Sequence, residues 1–376
     1  MAAPPPPAAA LVDDLIGEIL LRLPPDDPAS LFRAALVCKP WRALLTDRAF
    51  LRRYRAFHRT PPVLGFLHDV HRSGGRVFPR FIPTTGASPP PIPQPEPRCW
   101  TLDCRHGRVL LHSSATSDLI VWDPIAGGRQ EIPQPVNQHE DYYEYFTAAV
   151  LCASDGCDDH HECRRGPFVV VFAGADIDDA YGDDEDGVTW ATVYSSSTGA
   201  WSAEVSIHLG PILENREVIG RSLLAGDALY FTVEEGRRVL KYDLSQHALS
   251  VIKPPPLHIG NMVLVTAEDG GLGAAGVKGY SLHLWSWQIG ADSIGEWVPG
   301  KVIELDMMIS IGIGDPTTKL NVVGFAEGAD SIFINANDGI FTVEIKSSSV
   351  RKIGKRGDFS TIFPYMSFYT PDHAST

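Results

Sequence analysis

Five residues with metal-ligand chemistry, Cys152, Cys157, His160, His161 and Cys163, fall within a stretch of 12 residues. Thiolate sulfur and imidazole nitrogen are the donors zinc prefers. Structural zinc sites usually draw on paired knuckles such as Cys-x-x-Cys, and Cys152-x4-Cys157 followed by Cys157-x-x-His160 matches that only loosely. Asp155, Asp158, Asp159 and Glu162 interleave with these residues and give the segment the texture of a polar loop between strands. The expectation is a solvated surface loop that binds no metal, with zinc on Cys152, Cys157, His160 and Cys163 as the alternative.

Other chemistry is scarcer. Asp176, Asp178, Asp179, Asp183, Asp184, Glu185 and Asp186 form an acidic run, but they lack the alternating oxygens and fixed glycine of a calcium loop. They read as an insertion. The Gly-rich stretch 270–276 lacks the strand-to-helix setting of a dinucleotide site and reads as a turn. Walker loops, nucleophile elbows and His-Glu-x-x-His are absent from the sequence. The six cysteines follow no framework spacing, which points to free thiols in a reducing compartment. A formal net charge of -14 disfavours phosphate backbones and anionic membrane surfaces. No run approaches a membrane span, and the opening Met-Ala-Ala-Pro-Pro-Pro-Pro is unlike a secretory signal. A cytoplasmic or nuclear protein with no cofactor, no nucleic acid and no membrane partner is expected.

The elements that must position these residues change character along the chain. Residues 1–10 are a Pro/Ala tail, expected to be disordered. Within 11–57, Leu15, Ile16, Ile19, Leu20 and Leu23 form an apolar stripe at helical spacing. Asp13 or Asp14 can cap it, Pro24-Pro25 stops it, Asp27-Pro28 starts a second helix, Pro40 opens a third, and Asp47 caps a fourth. A bundle this small is marginal alone, and a partner helix would complete its core. Residues 58–97 read as a connection with first strands and a Pro-rich loop over 83–97. Residues 98–372 read as many short strands.

A loose repeat runs through this last region. A Gly turn leads into a strand at His106-Gly107, Gly226-Asp227 and Gly328-Ala329-Asp330. A later strand carries an aromatic residue: Trp122, Tyr194, Tyr242, Trp285 and Phe341, which lie 72, 48, 43 and 56 residues apart. Four-stranded propeller blades recur every 40–50 residues or so, and insertions account for the excess. The stretch 361–369 could close the ring beside 62–66, which gives six blades; a β-sandwich or an incomplete ring stays open at this point.

The order Leu11, Asp14-Leu15, Glu18-Ile19-Leu20, Arg22-Leu23-Pro24, Val37-Cys38-Lys39, Trp41-Arg42, Leu44-Leu45 and Phe50 resembles the F-box closely. Val12 departs from it, standing where that family usually has proline. Asp103-x-x-x-Gly107-x-x-Leu110-Leu111 and Val121-Trp122-Asp123-Pro124 are similar to the β-propeller domains that follow F-boxes in a large plant family. The resemblance implies a small all-α F-box followed by an all-β propeller. It further implies docking on a Skp-type adaptor, which bridges to a cullin, through Leu11, Leu15, Ile19, Leu20, Leu23, Leu36, Val37, Cys38, Trp41 and Leu44, with Trp41 a natural anchor. On this reading the chain is a non-catalytic substrate receptor of a ubiquitin ligase, and the β domain captures an unknown protein. The alternative is an adaptor-binding scaffold that assembles no working ligase.

Overall fold

The computed structural model describes residues 15–371 apart from 73–75, 85–93, 96–97, 136–144, 155–156, 158–159, 161–162, 177–186, 211–218, 258–260, 291–294, 306–318, 356 and 358. The Pro/Ala tail, Leu11, the caps at Asp13 or Asp14, His161, most of the Pro-rich stretch and the acidic run after Asp176 lie outside the described residues.

Four helices come first: α1, described over 15–20, then α2 (Pro28–Ala35), α3 (Lys39–Thr46) and α4 (Arg48–His58). Pro28 and Pro40 sit in first turns, where a missing N–H costs nothing. The Phe50 amide donates to Asp47 Oδ2 at 2.9 Å and caps α4. Asp27 holds the N-cap position of α2, but its carboxylate accepts from the Ser30 hydroxyl at 2.5 Å instead of from a backbone amide. The apolar stripes turn Leu20, Leu31, Leu45, Leu51 and Tyr54 into one core. That core also contains Phe368, from the far end of the chain. The Phe368 ring lies 6.1 Å from Tyr54, and Tyr369 lies 5.0 Å from Phe32.

The rest is a six-bladed propeller. Blade 1 joins strands Val63–Arg72 and Arg76–Pro83 to Phe363–Met366. Blades 2 to 6 are antiparallel sheets spanning 99–132, 146–210, 219–252, 262–304 and 321–354. The innermost strand of each blade packs against those of its neighbours, and Asn321–Ala326 packs back on Phe363–Met366 to complete the circle. The chain ends are tied by pairing Gly65 with Tyr365, Phe66 with Pro364 and Leu67 with Phe363. This is the closure expected from 361–369. Strands Val63–Arg72 and Arg76–Pro83, the first strands expected within 58–97, therefore share blade 1 with the closing strand. The domain begins near residue 63, because a ring closed by its own ends needs strands from both.

The sequence repeat has a structural counterpart. Each of the three Gly turns links the first and second strands of a blade: blades 2, 4 and 6. Trp122, Tyr194, Tyr242, Trp285 and Phe341 all lie on third strands, of blades 2 to 6. The core is a set of layers between blades. Leu110 and Val121 pack with Val150 and Phe172, and Val171 with Phe231 and Leu240. Strands such as Arg108–Ser113 are buried along their whole length, which is why apolar runs outnumber alternating patterns. The Gly-rich stretch is a correction: beyond Gly270 it is not a turn but strand Leu272–Lys278. A Cβ on Gly273 would come within 3.1 Å of the Trp285 and Val265 carbonyls, so the glycine permits close strand approach.

Candidate functional site

The adaptor residues named from the sequence divide by exposure. Leu15, Ile19, Leu36 and Val37 are 63%, 64%, 83% and 62% exposed, and Cys38 is exposed beside them. Leu23, Trp41 and Leu44 are half-buried at the edge of the bundle core. Leu20 is a correction: at 2% exposure it belongs to the core with Leu31 and Tyr54 and has no face left for a partner. A single residue step explains the split, since successive side chains such as Ile19 and Leu20 point about 100° apart on a helix. Glu18 accepts from Arg22 at 3.0 Å and Arg53 at 2.7 Å, which links α1 to α4 outside the apolar face.

A second candidate lies at one mouth of the central channel. A cavity of about 720 Å³ opens there, lined by all six blades and by Arg59, Thr60 and Pro61 at the exit of α4. Its floor is a buried charge network. Arg105 Nη1 donates to Asp103 Oδ2 at 2.7 Å, and its Nε and Nη2 form a two-pronged contact with Glu327. The Ser222 carbonyl also accepts from Arg105, and Asp103 accepts from the Val150 amide at 2.8 Å. One guanidinium thus ties blades 2, 4 and 6 together, while Asp103 adds blade 3. Burial pushes the Asp103 carboxyl up to about 6, against the pull of Arg105. Burial also opposes the charge on Arg105, but Asp103 and Glu327 outweigh it and hold the guanidinium above its usual range. Arg221 donates to the Ile362 carbonyl at 2.6 Å on the same wall. The arrangement can recognise a polar or charged group presented at the channel mouth.

The Asp103-x-x-x-Gly107 motif gains a geometric reason here. His106 and Gly107 have φ of 54° and 72°, as a two-residue turn between twisted strands requires. A side chain on Gly107 would place its Cβ 2.4 Å from Arg164 Cδ. The Gly107 carbonyl accepts from the buried Tyr365 hydroxyl at 3.2 Å, which joins this turn to the closing strand.

The cysteine-rich loop does not match its expected solvated form. Cys163 is buried, and Cys152, Cys157 and His160 are half-buried. Their sulfur and nitrogen atoms all lie within 4.8 Å of one another. Burial pushes the Cys163 thiol up to about 12 and raises Cys157 as well. Burial acts the same way on Cys152, but hydrogen bonds from Ser154 and from the Cys163 and Cys157 thiols outweigh it and lower its value. The His106 ring stacks on His160 with centroids 3.8 Å apart, and its Nδ1 accepts from the Cys152 amide at 3.3 Å. Burial, then His160 and Arg105, pushes His106 down to about 2, so the ring is neutral with its proton on Nε2. The loop packs against blade 2 because Arg108 Nη2 donates to the Cys163 and Gly166 carbonyls.

Several of these residues escape a sequence reading. Glu327 carries no local signal, since its partner Arg105 lies 222 residues away. Phe368 likewise looks like part of a final strand. Arg108 offers the one legible hint: a charge opening the otherwise apolar run Val109-Leu110-Leu111.

Comparison with known proteins separates fold from family. Among solved structures, a protein from Lactobacillus plantarum aligns with TM-score 0.45 at 11% identity, covering 78% of this chain and 82% of that one. A catalytically inactive virginiamycin B lyase from Staphylococcus aureus with quinupristin aligns with TM-score 0.36 at 12% identity over 78% and 85%. A protein from Bacteroides thetaiotaomicron aligns with TM-score 0.37 at 12% identity over 81% and 67%. No curated protein matches. Family models are informative: the F-box domain matches residues 10–53, and the β-propeller of the F-box protein AT5G49610-like family matches residues 100–373. With helices, closed ring and both matches in agreement, the chain belongs to the AT5G49610-like family of F-box proteins with a C-terminal β-propeller.

Proposed function

We propose that this protein is the substrate-receptor subunit of a Skp–cullin–F-box ubiquitin ligase. The observation that carries the reading is the exposure of Leu15, Ile19, Leu36 and Val37, which the F-box leaves in water. A small bundle that leaves four large aliphatic side chains in water is suited to laying them in a partner groove. F-box domains generally bind Skp-type adaptors, and the adaptor then bridges to a cullin. The propeller holds the target, and binding raises the local concentration of its lysines at the ubiquitin-loaded enzyme. The channel mouth, with Arg105, Glu327 and Arg221 around it, is where we place the target contact. The receptor itself is non-catalytic and works in the cytoplasm or nucleus.

Co-purification with a Skp-type adaptor, followed by cullin recruitment and ubiquitylation of a captured target, tests the reading. Leu15→Asp should abolish adaptor capture. A folded wild-type chain that captures no adaptor where other F-boxes do would overturn it. Adaptor capture without cullin-dependent ubiquitylation would instead identify a scaffold.

A further inference from the structure

We propose that Cys152, Cys157, His160 and Cys163 form a structural zinc site that clips the 153–167 loop of blade 3 onto the propeller. The donors are one imidazole and three thiols, the Cys3His set of closed zinc sites. Zinc bonds of about 2.3 Å to sulfur and 2.1 Å to nitrogen set the edges of the ligand tetrahedron at roughly 3.5–3.8 Å. His160 Nδ1 lies 3.5 Å from Cys157 Sγ and 3.8 Å from Cys163 Sγ, and all four donor atoms fall within 4.8 Å of one another. Two edges thus already have the length a tetrahedral zinc site requires, and Nδ1 is the nitrogen that faces the Cys157 and Cys163 thiols.

Surrounding charge fits a metal better than a disulfide. Zinc with three thiolates and a neutral imidazole carries one net negative charge. Arg108, buried with its guanidinium against the Cys163 carbonyl, has no carboxylate partner among the described residues, and its Nη1 makes no hydrogen bond. An anionic zinc–thiolate centre supplies the counter-charge that a buried guanidinium requires. A disulfide would use two of the three thiols, strand the third beside His160 and leave Arg108 without that charge.

Second contacts on the ligands are also in place. The Cys152 amide donates to His106 and the Ser154 amide to Cys152 Sγ at 3.3 Å, while the His106 ring covers one side of His160. Supports of this kind fix ligand orientation in metal sites. The neck of the loop is held by the Ala153 amide donating to the Pro167 carbonyl at 3.0 Å, and Cys157, His160 and Cys163 of the loop meet Cys152 at the end of the preceding strand. His160 and Arg164 line the channel cavity, so the clip fixes part of its rim. A metal held by ligands from a strand end, the loop and a 3-10 turn fixes the three relative to one another.

The full chain, co-expressed with its adaptor and purified in the presence of zinc, should hold one zinc per chain by elemental analysis. A thiol-blocking mercurial should release that zinc. Cobalt exchanged into the wild-type protein should give the intense visible bands of a tetrahedral site and a thiolate charge-transfer band. Cys152→Ser and Cys163→Ser should each lower zinc occupancy at least tenfold, whereas Cys99→Ala keeps it. Because the cobalt spectrum is read on the wild-type chain, misfolding of a variant does not blunt the test. Absence of zinc and of the cobalt bands overturns the proposal. So does a disulfide among these thiols in a non-reduced peptide map, or full zinc occupancy in folded Cys152→Ser and Cys163→Ser chains. None of these outcomes depends on adaptor or target binding by the F-box.

Discussion

The helical bundle and the propeller solve the same burial problem in opposite ways. The bundle leaves Leu15, Ile19, Leu36 and Val37 exposed, whereas the propeller turns nearly all its large apolar side chains into layers between blades. A bundle of four short helices has too much surface for its volume and must be completed from outside. A ring of blades completes itself, because each sheet covers the next and the two chain ends share one blade. The bundle still borrows one piece from the ring, Phe368, so the two regions are linked at the seam where the propeller closes.

Ending the chain at residue 360 is the strongest way to break this comparison. It removes strand Phe363–Met366 and Phe368 together. We expect loss of the cooperative thermal transition of the propeller and loss of amide protection in α4. A truncated chain that melts like the full one would mean that ring closure contributes little.

Next come two leucines five residues apart. Leu20→Asp places a charge in the bundle core and should destabilise it by about 3–5 kcal/mol, read by denaturant unfolding. Leu15→Asp should leave stability within about 0.5 kcal/mol and weaken adaptor binding at least tenfold by calorimetry. Equal destabilisation by both would show that the exposed face is part of the core.

Within the ring, Asp103→Ala leaves Arg105 with Glu327 as its only carboxylate among the described residues and takes the Asp103 acceptor from the Val150 amide. Removing one partner of a buried pair typically costs about 3–5 kcal/mol, so chemical denaturation should show the loss in the propeller transition while adaptor affinity stays unchanged.

The smallest effect is a pH slope. His112 is buried against Trp100, neither ring nitrogen has a hydrogen-bond partner among the described residues, and burial pushes it down to about 4. The folded ring stays neutral while the unfolded one takes a proton below about 6.5. Stability should therefore fall as pH drops from about 6.5 to about 4, by up to about 3 kcal/mol from this group. His112→Phe should remove that part of the slope in urea titrations. An unchanged slope would place the acid sensitivity elsewhere.

How much of this was legible depends on how locally each feature is encoded. Capping by Asp47, the prolines at 28 and 40, the Gly turns and the third-strand aromatics were readable because each acts on its own neighbours in the chain. The adaptor contacts were named from the F-box resemblance, and burial takes Leu20 out of that set. An apolar stripe of about 100° does not say which edge meets the core and which meets a partner. The start of the propeller was legible only through its pairing with 361–369, since a strand that pairs across 300 residues looks like any other strand. In the cysteine loop, the ligand types were visible and their convergence was not. The four donors come from a strand end, a loop and a 3-10 turn, whose folding no spacing rule covers.

Sequence by itself determined a small helical bundle that resembles the F-box, a repetitive β domain and a closing strand, because periodicity, turn chemistry and capping are local properties of the chain. Only the tertiary structure decided which leucines stay in water, which carboxylates hold Arg105, where Phe368 goes and that three cysteines and a histidine meet. Those outcomes depend on residues distant in the chain arriving at one point, and burial and charge at that point are set by the assembled fold.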